Sequence, residues 1–188
     1  MKLEKLLSKK RSSILKGWLD EILETYPAYS NRFLKNQKDQ FANPVRHTFS
    51  EEINNLYNEL IKDTELNVTS ISPVLDNIIR IRAVQDFSAS QAVSFIFLLK
   101  GVIRKGLGEE IREDELESEL LSFESRIDDM ALIAFDVYMS CREEIYKIRA
   151  NQANNHVSGL LRRAGLTCEI PEWDSYPDAE NDNHQVIS

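Results

Sequence analysis

The sequence predicts an all-α protein, a bundle of about five or six helices that ends in a long C-terminal helix. Two observations support this class. The 188 residues include only 6 glycines and 5 prolines, and no alternation of polar and apolar residues is long enough for a convincing strand. Apolar residues instead recur at intervals of three and four, which is the spacing of one face of a helix.

The composition is that of one globular domain with appendages. Apolar residues make up 42% and charged residues 29% of the chain. The 23 basic and 31 acidic residues give a net charge of −8, which argues against nucleic-acid binding because that function needs a basic surface. The most apolar part, Ala92 to Leu99, ends at Lys100 and is far shorter than the ~20 residues of a membrane-spanning helix.

The cellular compartment follows from the cysteines and the N-terminus. Cys141 and Cys168 lack the spacing of metal ligands, and the first residues lack the apolar core and cleavage site of a signal peptide. We therefore expect a cytoplasmic protein whose two thiols are reduced and which does not insert into a membrane.

Prolines and caps divide the first half of the chain. The first helix is expected to end near Tyr26-Pro27, because the residue before a proline avoids the α region. Asn43-Pro44 and Ser72-Pro73 are both typical of an N-cap followed by proline in the first helical turn. They predict one helix from Asn43-Pro44 to about Lys62 and another from Ser72-Pro73, with a polar loop at 63–71.

A buried helical hairpin is predicted next. Ser88 and Gln91 have the spacing of a capping box, which predicts a break before Ser88 and a new helix from Ala89. We expect this helix to reach about Lys105 and to stop at the glycine pair in 106–108, which is typical of a C-terminal cap.

A long C-terminal helix is predicted from about Arg112 to Arg163, without an internal proline. At 1.5 Å per residue it would be ~75 Å long, which exceeds the size of a single domain of this length. Either it breaks near the "ANQANN" segment, or it projects from the domain and pairs with a second chain. We favour the second alternative. Residues 1–163 are predicted as one domain and the acidic 164–188 as a disordered tail. The predicted homodimer interface is a heptad seam, here termed the inner seam: Leu116, Leu120, Phe123, Ile127, Met130, Val137 and Cys141.

Arg82 is the main candidate for ligand binding. It shares a helical face with apolar residues seven, four and three positions earlier, so its guanidinium points toward apolar surroundings. Either it binds an anion through its rigid fork of donors, or it pairs internally with Asp86 or another carboxylate. Arg80 has Asp76 four residues earlier, a favourable helical pair. The candidate anion site comprises Arg82, Arg80 and Gln85.

No catalytic, metal or cofactor site is predicted. His47, His156 and His184 lie in separate regions, and the chain has no HExxH, G-x-S-x-G or P-loop motif. Trp173 and Tyr176 in the tail are candidate anchors for a protein partner, unless they fold back onto the domain.

Two segments suggest a family. "FANPVRHTFSEEINNLYNEL" and "LDNIIRIRAVQDFSASQAVSFIFLLKGVIR" resemble the N-terminal domain of RsbT co-antagonist proteins of the RsbRD type, which are input modules of the bacterial stressosome. The resemblance covers roughly residues 10–150. Its most specific part is the run from Arg82 to Asp86, followed by the break at Ser88 and the apolar segment from Phe95 to Lys100.

The resemblance implies an all-α, globin-like sensory domain without haem, which dimerises and passes signals along its C-terminal helix. In the co-antagonists a STAS domain follows, whereas here an acidic tail does, so we expect a stand-alone module. The predicted function is non-catalytic regulation through protein contacts. The alternative is an accessory protein that docks on a redox or sulfur-metabolism enzyme complex, through Trp173 and the tail, and a third is an unrecognised enzyme.

Overall fold

The structure is a computed structural model that describes residues 2–27, 30–31, 34, 42–62, 65–113 and 115–165. These residues form helices and no strand, which confirms the all-α class and the long C-terminal helix. The helices that the described ranges contain are α1 (Lys2–Lys9), α2 (Arg11–Glu24), α3 (Pro44–Ile61), α4 (Val68–Val84), α5 (Ala89–Val93), α6 (Phe95–Glu113) and α7 (Glu117–Arg163).

The chain divides into two units, residues 1–145 and 146–188. The first contains α1 to α6 and the first part of α7, and it encloses a continuous apolar core. The described part of the second is the remainder of α7 with residues 164–165, where Tyr146, Ile148, Val157 and Leu160 are exposed.

Two of the predicted caps are confirmed. Asn43 Oδ1 accepts a hydrogen bond from the Arg46 N–H (3.0 Å), and Pro44 is the first residue of α3. Before α5, the Ser88 N–H donates to Gln91 Oε1 (3.0 Å) and the Gln91 N–H donates to Ser88 Oγ (3.4 Å), which completes the capping box. Both signals are local, so the sequence suffices to identify them.

The predicted cap at Ser72-Pro73 is wrong, because α4 begins at Val68. Asn67 is the cap: its Oδ1 accepts from the N–H groups of Thr69 (3.0 Å) and Ser70 (3.3 Å). These bonds satisfy two N–H groups that have no partner within the helix, so the helix starts one turn earlier.

The predicted stop at the glycine pair is also wrong, since α6 continues through Gly106 and Gly108 to its end at 113. Leu107 and Ile111 are both buried. Burying two such side chains contributes roughly 1.5–3 kcal/mol each, which outweighs the ~1 kcal/mol that each helical glycine costs. The break comes near Glu115, whose φ is 55°, so the long helix begins at 117 rather than near 112.

The packing of α2 against α6 fixes the position of Phe95, a residue of the candidate site. The Trp18 indole N–H donates to the carbonyl of Phe95 (2.7 Å), which joins α2 to the start of α6. A Cβ at Gly17 would lie 3.0 Å from Val102 Cγ1, so the glycine allows the close approach of these helices. No described helix combines the length and apolar character needed to cross a bilayer.

Candidate functional site

Arg82 lies at the centre of the first unit, with no exposed surface. Its Cζ lies 5.5 Å from the ring centroid of Tyr26, 5.8 Å from Phe49, 5.1 Å from Phe87 and 5.3 Å from Phe95. These distances are within the range of cation–π attraction. We call the guanidinium and its four rings the Arg82 cage. It joins the end of α2, the second turn of α3, the last turn of α4 and the start of α6.

Hydrogen bonds hold the guanidinium at two further points. Nη1 donates to the carbonyl of Gln91 (2.8 Å) and Nη2 donates to Thr25 Oγ1 (2.9 Å). Thr25 is the C-cap of α2, and the carbonyl end of a helix favours a positive charge. The ring faces and this helix end therefore stabilise the cation from several sides.

The structure corrects the internal ion pair that the sequence suggested for Arg82. None of the described carboxylates pairs with it, and Asp86 is 72% exposed and lies 3.6 Å from Arg142 Nη1 instead. Burial lowers the pKa of Arg82 and raises the pKa of Tyr26, and the electrostatic interaction and a weak side-chain hydrogen bond between the two groups oppose both shifts. Arg82 is thus a buried cation balanced by dipoles and ring faces.

Residues 85–88, which we call the α4–α5 corner, close directly over the cage. The Phe87 N–H donates to the Arg82 carbonyl (3.2 Å) and the Asp86 N–H donates to the Ala83 carbonyl (3.3 Å). This is the bonding of a Schellman motif, in which one residue adopts the left-handed conformation. Here that residue is Asp86 (φ 60°) rather than glycine, so the corner carries backbone strain.

Two side chains of α7 bind this corner. The Tyr138 hydroxyl donates to the Phe87 carbonyl (2.8 Å), and Arg142 Nη1 lies 3.6 Å from Asp86 Oδ1 and 3.4 Å from the Ala83 carbonyl at the end of α4. Tyr138 and Arg142 are four residues apart, so they lie on one face of α7. The Arg82 cage is therefore linked to α7 through the corner.

A cleft of about 420 Å³ adjoins the cage. Two cage rings, Tyr26 and Phe87, form part of its wall, whereas Arg82 contacts both rings from the side of the core. The remaining described wall residues are Pro27, Ser30, Leu34, Val45 and Gln85.

Comparison with known protein families gives a match that covers this region. The family model described as the RsbT co-antagonist protein rsbRD N-terminal domain matches residues 12–153, which include the cage, the corner and the two α7 side chains. The chain belongs to this family. It is a regulatory, sensor-type family and not a known enzyme family. No curated protein and no solved structure matches the chain.

The three predicted anion-site residues of this RsbRD N-terminal domain do not come together. Gln85 lines the cleft beside the cage. Arg80 is directed elsewhere: its Nε lies 3.1 Å from Asp76 Oδ2, which confirms the predicted helical pair, and its Nη1 lies 2.9 Å from Glu144 Oε2. The hydrogen bonds that Arg80 donates to Asp76 and to Glu144 raise its pKa, so its charge is already compensated.

The inner seam packs within its own chain. Of its members only Val137 is partly buried, and the others are at most 4% exposed in the single chain. Side chains that are buried within the single chain offer little surface to a second chain. The heptad spacing reflects packing of α7 onto the domain. Cys141 illustrates this: burial raises the pKa of its thiol to about 11, and Sγ lies 3.2 Å from Asp76 Oδ1.

A second apolar row lies on the surface of α7. We call it the outer stripe: Leu132, Phe135 and Met139, which are 68%, 45% and 43% exposed. Their spacing of three and four places them on one helical face. From the sequence alone, this row is expected to form a second stripe that packs against other helices; that expectation is wrong for the single chain, in which all three side chains are exposed. Exposed apolar patches rimmed by polar residues are typical of protein interaction sites.

The remaining candidate residues do not form a site within the part of the chain that the structure describes. Trp173 and Tyr176 lie outside the described residues. His47 Nδ1 lies 4.0 Å from Glu51 Oε2, and His156 is exposed. Among the residues that the structure describes, no three His, Cys, Asp or Glu side chains form a group that could hold a metal ion.

Proposed function

We propose that this chain is a non-catalytic sensory and regulatory domain of the stressosome input type, which acts in the cytoplasm through protein contacts of α7. Family membership supports the sensory class. One observation carries the mechanism: the α4–α5 corner, closed over the Arg82 cage, is hydrogen-bonded to α7 through Tyr138.

The proposed signal starts in the cage and travels over a short path. A shift of Arg82 or its rings displaces the Phe87 carbonyl, because the Phe87 N–H is bonded to the Arg82 carbonyl. Tyr138 follows that carbonyl, and it lies one residue from Met139 of the outer stripe. The inner face of α7 thus contacts the corner, and the outer stripe lies on its exposed face. Packed elements switch between discrete arrangements, which converts a small shift into a change of contacts.

The outer stripe is the proposed interface with a second copy of the chain. Its side chains are apolar and exposed, whereas the inner seam is committed to the core. Pairing of two stripes would remove both from water, and apolar burial is the main driving force of association. The partner is identical, so the same stripe serves on both sides of a twofold interface.

Replacing both Leu132 and Phe135 with lysine is expected to convert the dimer into a folded monomer. Lysine is a good helix former and the sites are exposed, so the fold persists while the stripe becomes charged. Sedimentation equilibrium with circular dichroism measures both properties. The matched control is Val84→Lys, which places the same charge on an exposed apolar site of α4 (64% exposed) and should leave the dimer intact. A double variant that still forms the wild-type dimer would contradict the proposed interface.

A further inference from the structure

Two buried polar atoms without a hydrogen bond of ordinary geometry lie in the cage. Among the described residues, the buried side-chain atoms without a hydrogen-bond partner in the chain are Tyr26 Oη, Asn31 Oδ1 and Arg82 Nε. Tyr26 and Arg82 belong to the cage, and Asn31 follows Ser30, a wall residue of the adjoining cleft. Buried polar groups are nearly always paired in folded proteins, so such a cluster calls for an explanation.

The chemistry of these atoms favours an acceptor with negative charge. Arg82 Nε can only donate, and the Tyr26 hydroxyl can donate. The guanidinium has no described carboxylate partner, although it is completely buried. An added carboxylate would satisfy both donors and compensate the charge, and charge-assisted hydrogen bonds of this kind are strong.

The cleft supplies an apolar compartment next to these donors. Leu34, Val45, Pro27 and the ring of Phe87 line it, with the polar side chains of Ser30 and Gln85. Its volume of about 420 Å³ falls within the range of small-molecule pockets. The Tyr26 ring separates the cleft from the guanidinium, because it lines the cleft and also contacts Arg82.

We propose that this cleft binds a small monocarboxylate with an apolar body. The body occupies the cleft, and the Tyr26 side chain turns so that the carboxylate accepts hydrogen bonds from the Tyr26 hydroxyl and Arg82 Nε. Turning the Tyr26 ring also disturbs the Phe87 ring, whose centroid lies 5.3 Å from that of Tyr26, and the backbone carbonyl of Phe87 accepts the hydrogen bond from Tyr138 of α7. The inference deepens the proposed function and rests on it for its role as a signal, since it names the class of molecule that the sensory domain detects.

The test is isothermal titration calorimetry of the full chain with octanoate and 3-phenylpropionate, each compared with its neutral amide. At least one acid should bind with a Kd below about 1 mM and at least tenfold more tightly than its amide. Tyr26→Phe should weaken that binding at least fivefold and should lower the thermal unfolding midpoint by less than the control Tyr57→Phe does, because the Tyr26 hydroxyl has only a weak interaction with Arg82 to lose. A structural role for the hydroxyl would lower the midpoint by as much as the control does.

Tyr57→Phe is the matched control. Tyr57 is also a buried tyrosine, but its hydroxyl donates to the Leu7 carbonyl (3.1 Å). This variant should lose stability and retain the affinity for the acid. The inference is overturned if neither acid binds, if the amides bind equally well, or if Tyr26→Phe binds like the wild type. If neither acid binds but the wild type forms the outer-stripe dimer, only the proposed ligand class is contradicted. If an acid binds but the wild type is a monomer, only the proposed dimer interface is contradicted.

Discussion

Replacing Ile127 with aspartate is expected to unfold the chain rather than to separate two chains. Ile127 lies on the inner seam and is 0% exposed, so the new carboxylate would be buried without a partner. Such a change costs about 4 kcal/mol or more, a large part of the 5–15 kcal/mol by which folded domains are typically stable. Urea denaturation followed by circular dichroism at 222 nm measures the loss.

Leu121→Asp provides the comparison, because Leu121 lies on the same helix at 62% exposure and outside the outer stripe. Its effect on the free energy of unfolding should stay within about 0.5 kcal/mol, as is usual for surface substitutions. A folded, monomeric Ile127→Asp variant would contradict this account and would return the inner seam to the role of a dimer interface.

Truncating Arg82 is expected to have the second-largest effect. Arg82→Ala should lower the free energy of unfolding by about 4 kcal/mol, since it leaves a large cavity among the cage rings. Arg82→Met retains most of the volume and removes a desolvated charge, so its cost should be lower, about 2 kcal/mol from the lost bonds to Gln91 and Thr25. Chemical denaturation of the three proteins gives both differences.

Arg82→Lys tests whether the fork of the guanidinium matters. Lysine keeps the charge but carries a compact, strongly hydrated ammonium group that cannot reproduce the two-point geometry. We expect Arg82→Lys to be no more stable than Arg82→Met. Wild-type stability of Arg82→Lys would show that a charge alone is enough and would contradict the bonding described for the cage.

Local signals made much of the fold predictable. Asn43 and Ser88 cap helices through side chains three residues or fewer from the N–H groups they bind, so the pattern contains both partners. The pair of Arg80 with Asp76 is local in the same way. The face that buries Arg82 could also be identified, because helical periodicity places it among apolar neighbours.

The sequence-based predictions were wrong where contacts between residues far apart in the chain determine which local structure forms. Gly106 and Gly108 favour a helix end, but burial of Leu107 and Ile111 keeps the helix intact. The heptad spacing of the inner seam identified a buried face correctly, but periodicity does not state whether the opposing surface belongs to the same chain.

The cage itself could not be predicted. Tyr26, Phe49, Phe87 and Phe95 come from separate elements, and only the fold brings their rings to one guanidinium. Tyr138 likewise reaches a carbonyl 51 residues away. The one available signal was an arginine on an apolar face, and it pointed to the position of the site but to none of its partners.

The central claim is that the Arg82 cage is coupled to α7, and amide hydrogen exchange tests it most directly. Protection of residues 132–145 would be compared in the wild type, in Arg82→Met and in Ile53→Ala, a core truncation on α3 where Ile53 is 1% exposed. The account predicts that Arg82→Met selectively lowers protection around Tyr138, whereas Ile53→Ala lowers protection without this preference. Equal patterns in the two variants would contradict the coupling and reduce Arg82 to a residue that only supports the fold.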